Sequence, residues 1–427
     1  MIARSFATAA LALAACSATP PTPGASDAGD GGSGDARDGG TRDGGGTDGG
    51  IPSGTVFCDL PGGAATGLTV PADLCIHKFA QLKTPRVLAF APGGEVFVAS
   101  PSAFTAGGAP AGIGGIYALA DDDGDGVADA PAIYARSADL STVHGLAFVS
   151  DHELVYTVGD AVYALPYASG QRTGDTTARA KLAGLPTGGA SRFTHTLATG
   201  ADGSLYVSTG QTDNDQCPAT IRVGAVLRVG PGHDPAGDVV VSGCRNPMYL
   251  RCAPWGCYAA ELTGDGWSGI GGAEKLIEVK DGADYGYPCC IDHGVPNPQL
   301  SPPPSPAPGC SQVAVSVQSY PLHDTPFGFD FDVPRRWPAP YTGGLFIAMH
   351  GSFFNHWAGE RVGWAPVDAT THRPTADLAT LVGGFGMTGP VVGRPADARF
   401  SPDGRLFIAD DQGGGVYWIA PRTLKKP

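Results

Sequence analysis

The same short pattern returns six times along this chain: an apolar strand-like run, a polar turn, then a second strand-like run. V-L-A-F-A-P-G-G-E-V-F-V-A-S starts at Val87, H-G-L-A-F-V-S-D-H-E-L-V-Y-T-V at His144, and H-T-L-A-T-G-A-D-G-S-L-Y-V-S-T-G at His195. M-Y-L-R-C-A-P-W-G-C-Y-A-A-E follows at Met248. P-F-G-F-D-F at Pro326 leads into G-L-F-I-A-M-H at Gly344, and D-A-R-F-S-P-D-G-R-L-F-I-A-D-D starts at Asp397. The spacing is roughly 50 residues, within the period range of propeller blades. The P-G-G, A-D-G and P-D-G turns between alternating runs are hairpin signals. One small sheet per copy leaves two faces to bury, so the copies must stack around an axis. The pattern predicts an all-β, six-bladed β-propeller over residues 54–427, with the segment before Pro85 completing the sheet that ends near Ile419. A large β-sandwich is the alternative all-β arrangement, and it explains the spacing poorly.

Ahead of the repeats the chain has a different character. Ile2 to Ala15 carries an early Arg4 and an alanine-rich apolar run that ends L-A-A-C at Cys16. A positive start, a short apolar core and small residues before a cleavage point read as a secretory signal. A cysteine directly after L-A-A is the bacterial lipoprotein pattern, so residues 1–16 are expected to be a lipoprotein signal peptide with Cys16 as the lipidated residue. The run is too short to span a membrane. Residues 17–53 are almost all Gly, Asp, Ser, Thr, Ala and Pro, and are expected to form a disordered tether. Six aspartates and two arginines there account for part of the formal net charge of −14. With that charge and no basic cluster, nothing points to nucleic acid. Ser17 follows the cysteine with no aspartate retention signal, so the expected location is the bacterial envelope at the outer membrane, through the lipid anchor alone.

Ten cysteines in an exported chain predict disulfides. With Cys16 assigned to lipid, an odd count remains and leaves at least one thiol free or intermolecular. Cys252 with Cys257 brackets a P-W-G turn, Cys58 with Cys75 can staple the start of the domain, and Cys310 can reach Cys289 or Cys290. The cysteines lack the paired spacings and partner histidines of zinc modules.

Four groups of residues carry possible chemistry. D-D-D-G-D-G-V-A-D puts Asp121, Asp123, Asp125 and Asp129 at positions 1, 3, 5 and 9 of a calcium loop, with Gly126 at the sharp turn and the Val127 carbonyl at position 7. No glutamate closes the loop, so it is not a full EF-hand; an acidic solvated turn is the plain alternative. Arg245-Asn246-Pro247 opens a strand, followed by Glu261, Asp265 and Glu274, a cation with carboxylates that suits an anionic ligand, a second cation, or a surface ion-pair network. His144 and His195 open two repeats, and Arg245 and Arg394 stand at comparable places in two others. Equivalent repeat positions converge on one face of a propeller.

T-V-H-G-L-A-F at Thr142, R-N-P at Arg245, E-K-L-I-E-V at Glu274, Y-G-Y-P-C-C at Tyr285, H-G-S at His350 and G-R-P-A-D-A at Gly393 form an ordered series. Together they resemble the soluble glucose/sorbosone dehydrogenase family, six-bladed propellers that use pyrroloquinoline quinone (PQQ), over roughly Lys83 to Pro421. The resemblance implies oxidation of a sugar, aldose or related alcohol, with hydride passing to the quinone and a histidine as general base. PQQ carries three carboxylates, and arginine forks fit carboxylates best. The resemblance implies cofactor contacts from Arg245, Asn246, Arg361 (in G-E-R-V), Arg394, His350 and Arg192, with calcium as a second cofactor. One block departs from the family. Its base lies in a G-G-H-x-T-R-like block, and here the text is G-G-A-S-R-F-T-H, with Arg192 and His195 exchanged. Arginine has no acceptor lone pair to offer as a base. Either His195 reaches the same point, or His144 does, or the base is absent. The last case describes a non-catalytic, calcium-binding propeller lipoprotein that serves as a binding or scaffold module. The electron acceptor is not legible in the residues.

Intact mass of the membrane-extracted protein is expected to place the mature amino terminus at Cys16 with lipid attached. An unmodified Cys16 thiol, or cleavage elsewhere, would reject the anchor.

Overall fold

The computed structural model describes residues 53–427 apart from 64–65, 103–111, 187–192, 212–221, 268, 301–308, 353–358 and 387–390. The expected signal peptide, Cys16, nearly all of the tether and Arg192 lie outside the described residues. The described chain is all β apart from short 3-10 turns. Six sheets of four or five strands make a six-bladed β-propeller, with one additional two-stranded ribbon.

In each blade the innermost strand comes first in sequence, except that the last blade borrows its outermost strand from the start of the domain. The inner strands are Val87–Phe90, Leu146–Ser150, Leu197–Thr199, Asn246–Ala253, Pro326–Phe331 and Pro395–Phe400. Each touches the next, and the last touches the first, so the ring is closed around the axis. All six repeats found in the sequence become inner hairpins. Gly94, Gly203 and Gly404 hold φ of +95°, +81° and +93° in their turns, a conformation that glycine adopts at little cost.

The second strands are not half-exposed, as simple alternation suggests. Val96–Ser100, Leu205–Thr209, Leu345–Met349 and Leu406–Asp410 are buried along their whole length. A sheet with a neighbouring blade on each face has no solvent side near the axis. Exposure appears at the rim, where Ala180–Gly184 and Ala379–Val382 begin with exposed residues.

The closing blade pairs Leu74–Gln81 with Gly415–Pro421, from Leu74 opposite Pro421 to Gln81 opposite Gly415. The chain ends thus share one sheet, as the repeat count predicts. A Cys58–Cys75 disulfide pins the turn at Phe57–Asp59 to this outer strand. Cys252–Cys257 bridges a hairpin of the fourth blade, and Cys290–Cys310 holds the long insertion in that blade. Cys289 is also disulfide-bonded, and Cys244 is a buried free thiol. The insertion adds Ala283–Asp284 as a parallel fifth strand to the third blade.

Trp418 ties the closing blade to the acidic loop. It is fully buried, stacks on His77 at 4.1 Å, and its Nε1 donates to the Gly126 carbonyl at 2.7 Å. Trp418→Phe should keep most of the packing and leave that carbonyl without its donor, costing about 1–2 kcal/mol. Trp418→Ala should cost about 3–5 kcal/mol. Urea denaturation of the two variants checks both the order and the gap.

Candidate functional site

The inner strands all run the same way along the axis, so the residues that open them meet at one end. Arg86, Arg245, Thr325 and Arg394 immediately precede their strands, and His144 and His195 stand two residues before theirs. A cavity of about 590 Å³ lies at this end. Lys83, Arg86, Arg245, Asn246, Asp265, Glu274, His350, Arg394 and Asp411 supply its polar wall, and Met248, Leu262 and Phe327 supply apolar surface.

Of the arginines expected here, Arg245 and Arg394 reach the cavity. Arg245 donates to the Thr263 carbonyl and to Asp265, each at 2.7 Å, and its Nε is buried without a partner. Asn246 lines the wall beside it, and its Oδ1 is likewise buried and unpartnered. Arg394 donates from Nε to the His350 carbonyl at 2.9 Å and from a terminal nitrogen to the Gly351 carbonyl. Burial lowers its pKa to about 10. Arg361 is not on the wall; its guanidinium donates to Asp324 at 2.7 Å.

The two histidines that open repeats are placed below the wall. His195 is 0% exposed; its Nδ1 donates to the Ser208 carbonyl at 2.9 Å, and its Nε2 is buried without a partner. Burial lowers its pKa to about 4. His144 is 1% exposed, accepts from Arg86 Nε at 3.4 Å, and has an unpartnered buried Nδ1. Burial, then the Arg86 charge, holds it well below the ordinary histidine value. The imidazole that does line the cavity is His350. It stacks on Phe327 at 4.0 Å, and its Nε2 meets Asp411 at 2.9 Å. Burial lowers its pKa to about 4 against the pull of Asp411. Asp411 is itself desolvated, yet His350 and Arg86 hold its carboxyl well below the usual range.

Arg86 and Asp411 pair directly at the cavity, and the expectations from sequence did not include them. Arg86 carried a usable signal, because it stands one residue before its inner strand, as Arg245 and Arg394 do. Asp411 carried none, since it lies in a turn after a second strand.

Glu261 accepts the Arg245 N–H at 2.6 Å, and Glu274 accepts the Thr263 N–H at 2.9 Å. Burial raises their pKa values to about 7 and about 8. Together with the half-exposed Asp265 they were candidates for a second cation. Among the described residues, the one group of three acidic, histidine or cysteine side chains close enough to share an ion is Asp121, Asp123 and Asp125. Their carboxylate oxygens lie within 4.8 Å of one another. Asp121 Oδ2 accepts the Gly126 N–H at 3.0 Å, and Oδ1 is buried without a partner. Asp129 turns aside to accept the Asp122 N–H at 2.8 Å, and the Val127 N–H donates to Asp125 at 2.8 Å.

Residues 61–231 match the family model of a domain of unknown function, DUF7133. An uncharacterized protein of Borreliella burgdorferi is 29% identical over 114 residues, 26% of this chain and 30% of that protein. The match thus spans under a third of that relative's length. Among solved structures, the calcium structure of a Trichoderma reesei member of carbohydrate-active enzyme family AA12 is similar with a TM-score of 0.65. It is 19% identical, over 83% of this chain and 97% of that one. The holo PQQ domain of pyranose dehydrogenase from Coprinopsis cinerea also has a TM-score of 0.65, at 17% identity over 82% and 96%. The PQQ-bound aldose sugar dehydrogenase of Streptomyces coelicolor has a TM-score of 0.53, at 19% identity over 82% and 100%. At these identities the likeness establishes the shared propeller fold.

Glu261 and Glu274 yield a pH prediction. Their folded pKa values lie above the ordinary 4.5, so the native state retains protons that the unfolded chain has released. Their contribution is complete below the unfolded value and is lost as pH rises through about 7 and about 8. Glu274→Gln keeps the neutral shape and cannot ionise. In chelator, its melting temperature should fall less than that of the wild type between about pH 5 and about pH 9. Parallel curves would show that Glu274 stays ionised.

Proposed function

We propose that the chain is a PQQ-dependent oxidoreductase acting on a sugar, aldose or related alcohol, anchored at the bacterial envelope through Cys16. One observation carries this reading: buried donor and acceptor atoms without partners, Arg245 Nε and Asn246 Oδ1, beside a cavity where the repeat openings converge. Cations on the wall suit a ligand with several carboxylates. The solved relatives with this fold include two described as holo or PQQ-bound.

In this reading Arg245, Arg394 and Asn246 hold the cofactor, with Arg192 expected to join them. Bound there, PQQ supplies an ortho-quinone that takes up hydride. Met248, Leu262 and Phe327 exclude water from one side of the cavity. The proton acceptor must reach the substrate hydroxyl. His144 and His195 were the expected bases, and their burial favours His350 in that role. Asp411 beside Nε2 fixes the tautomer and leaves the Nδ1 lone pair to take the proton. Calcium is the second cofactor, held by Asp121, Asp123 and Asp125, with Asp129 and the Val127 carbonyl as the further ligands expected of the loop.

The burial of His144 and His195 also supports a second reading, a non-catalytic binding or scaffold propeller. Calorimetric titration of the calcium-loaded protein with PQQ separates the two. Arg245→Ala should weaken PQQ binding roughly tenfold to a hundredfold, since charge-assisted hydrogen bonds contribute about 1.5–3 kcal/mol. Arg245→Lys should recover only part. His350→Gln should retain PQQ binding within about tenfold and lose dye-linked turnover on a sugar panel. No PQQ binding at high micromolar ligand would leave the scaffold reading standing.

Calcium should raise the melting temperature of the wild type, and Asp123→Ala should abolish most of that rise. Identical melting in calcium and in chelator would remove the metal from the loop.

A further inference from the structure

The far end of the axis holds a second cavity, of about 390 Å³, with a different chemistry. Every blade contributes to it from the closing residues of its inner strand. Phe90, Phe148 and Phe400 are half-buried there, so each keeps apolar ring surface towards the space. The charged side chains on its wall are Arg251, Asp330 and Arg399.

The carboxylates at this end are already engaged. Asp397 accepts from the Arg251 guanidinium at 2.6 and 2.8 Å and from the Leu88 N–H at 2.9 Å. Asp330 accepts the Phe331 N–H at 2.9 Å and the Phe400 N–H at 3.0 Å. The arginine donors are not exhausted. Arg251 is buried, and its Nε has no partner. Arg399 is half-buried; it donates from one terminal nitrogen to the Leu88 carbonyl at 2.5 Å, lies 5.9 Å from the Phe90 ring centre, and makes no other hydrogen bond within the described residues. Burial, then the neighbouring Arg251 charge, lowers the pKa of Arg399 to about 10, with Asp330 and Asp397 opposing the shift. Cross-blade ties account for the contacts these arginines make and leave the remaining donors unexplained. An unpaired buried donor such as Arg251 Nε is unfavourable unless something occupies it.

We propose that this cavity binds a small flat carboxylate, with the anionic group on Arg399 and Arg251 and the apolar body against the phenylalanines. The site is separate from the quinone cavity, at the opposite end of the axis, and is independent of what binds there. Benzoate is the probe, with benzamide as its uncharged counterpart and inorganic phosphate as an anion without the ring.

Calorimetry on the full chain should detect benzoate binding, with benzamide and phosphate each weaker by roughly tenfold or more. Arg399→Met, which keeps the apolar stem, should weaken benzoate by roughly tenfold and leave PQQ titration unchanged. In the wild type, the Nε–H resonance of Arg251 should shift on adding benzoate, a readout that does not depend on any variant folding. The proposal is overturned by wild-type protein that binds no benzoate, by benzamide or phosphate equal to it, by Arg399→Met binding it undiminished, or by an unmoved Arg251 resonance.

Discussion

A four-stranded sheet has two faces to bury, and the closed ring of inner strands is what buries both. Leu74–Gln81 pairs with Gly415–Pro421 as the outermost strand of the sixth sheet and so ties the start of the domain to its last blade. Apolar burial supplies roughly 25 cal/mol per Å², and it is realised only when each blade has a neighbour on both sides. This is why second strands such as Val96–Ser100 tolerate no polar face. It is also why closure is reinforced by a disulfide at Cys58–Cys75 and by the Trp418 tie to the acidic loop.

Closure has a polar consequence. Six strand openings at one end of the axis and six strand closings at the other leave backbone and charged groups in places that water reaches poorly. The protein satisfies most of them with arginine and aspartate across blades: Arg86 with Asp411 at one end, Arg251 with Asp397 at the other. Such buried pairs add little net stability, but removing one partner strands the other charge. Arg86–Asp411 joins the first blade to the sixth, and Arg251–Asp397 reaches across the axis from the fourth blade to the sixth.

The architecture was legible because its signal is periodic. Hairpin glycines and alternating runs repeat six times, and local rules suffice to read each one. Three disulfides were readable for the same local reason, and Cys310 pairs with Cys290, one of its two candidates. The site was legible where it too repeats, at Arg245 and Arg394, and through the R-N-P and H-G-S blocks at Asn246 and His350. Asp411 and His350 meet across blades at a separation of 61 residues, and no local pattern carries that pairing. The depth of His144 and His195 was also hidden. A histidine two residues before a strand lies below the rim, whereas an arginine one residue before it reaches the cavity with a longer side chain.

The two readings of the cavity at the strand openings differ in what they ask of its unpaired atoms. A scaffold that had only to be stable gains nothing from a buried Arg245 Nε or Asn246 Oδ1, because each unmade hydrogen bond costs about 1–3 kcal/mol. Apolar side chains of similar volume would remove that cost, as they often do for buried ion pairs. Arg394, which donates to the His350 and Gly351 carbonyls, is desolvated enough for its pKa to be lowered to about 10. Cations held in this state are preorganised for an anion, and the free energy spent on holding them is recovered when the anion binds. That argument favours a ligand at the cavity whichever reading of the base is correct. It leaves catalysis to rest on whether His350, the imidazole on the cavity wall, has taken over the proton from residues buried beneath it.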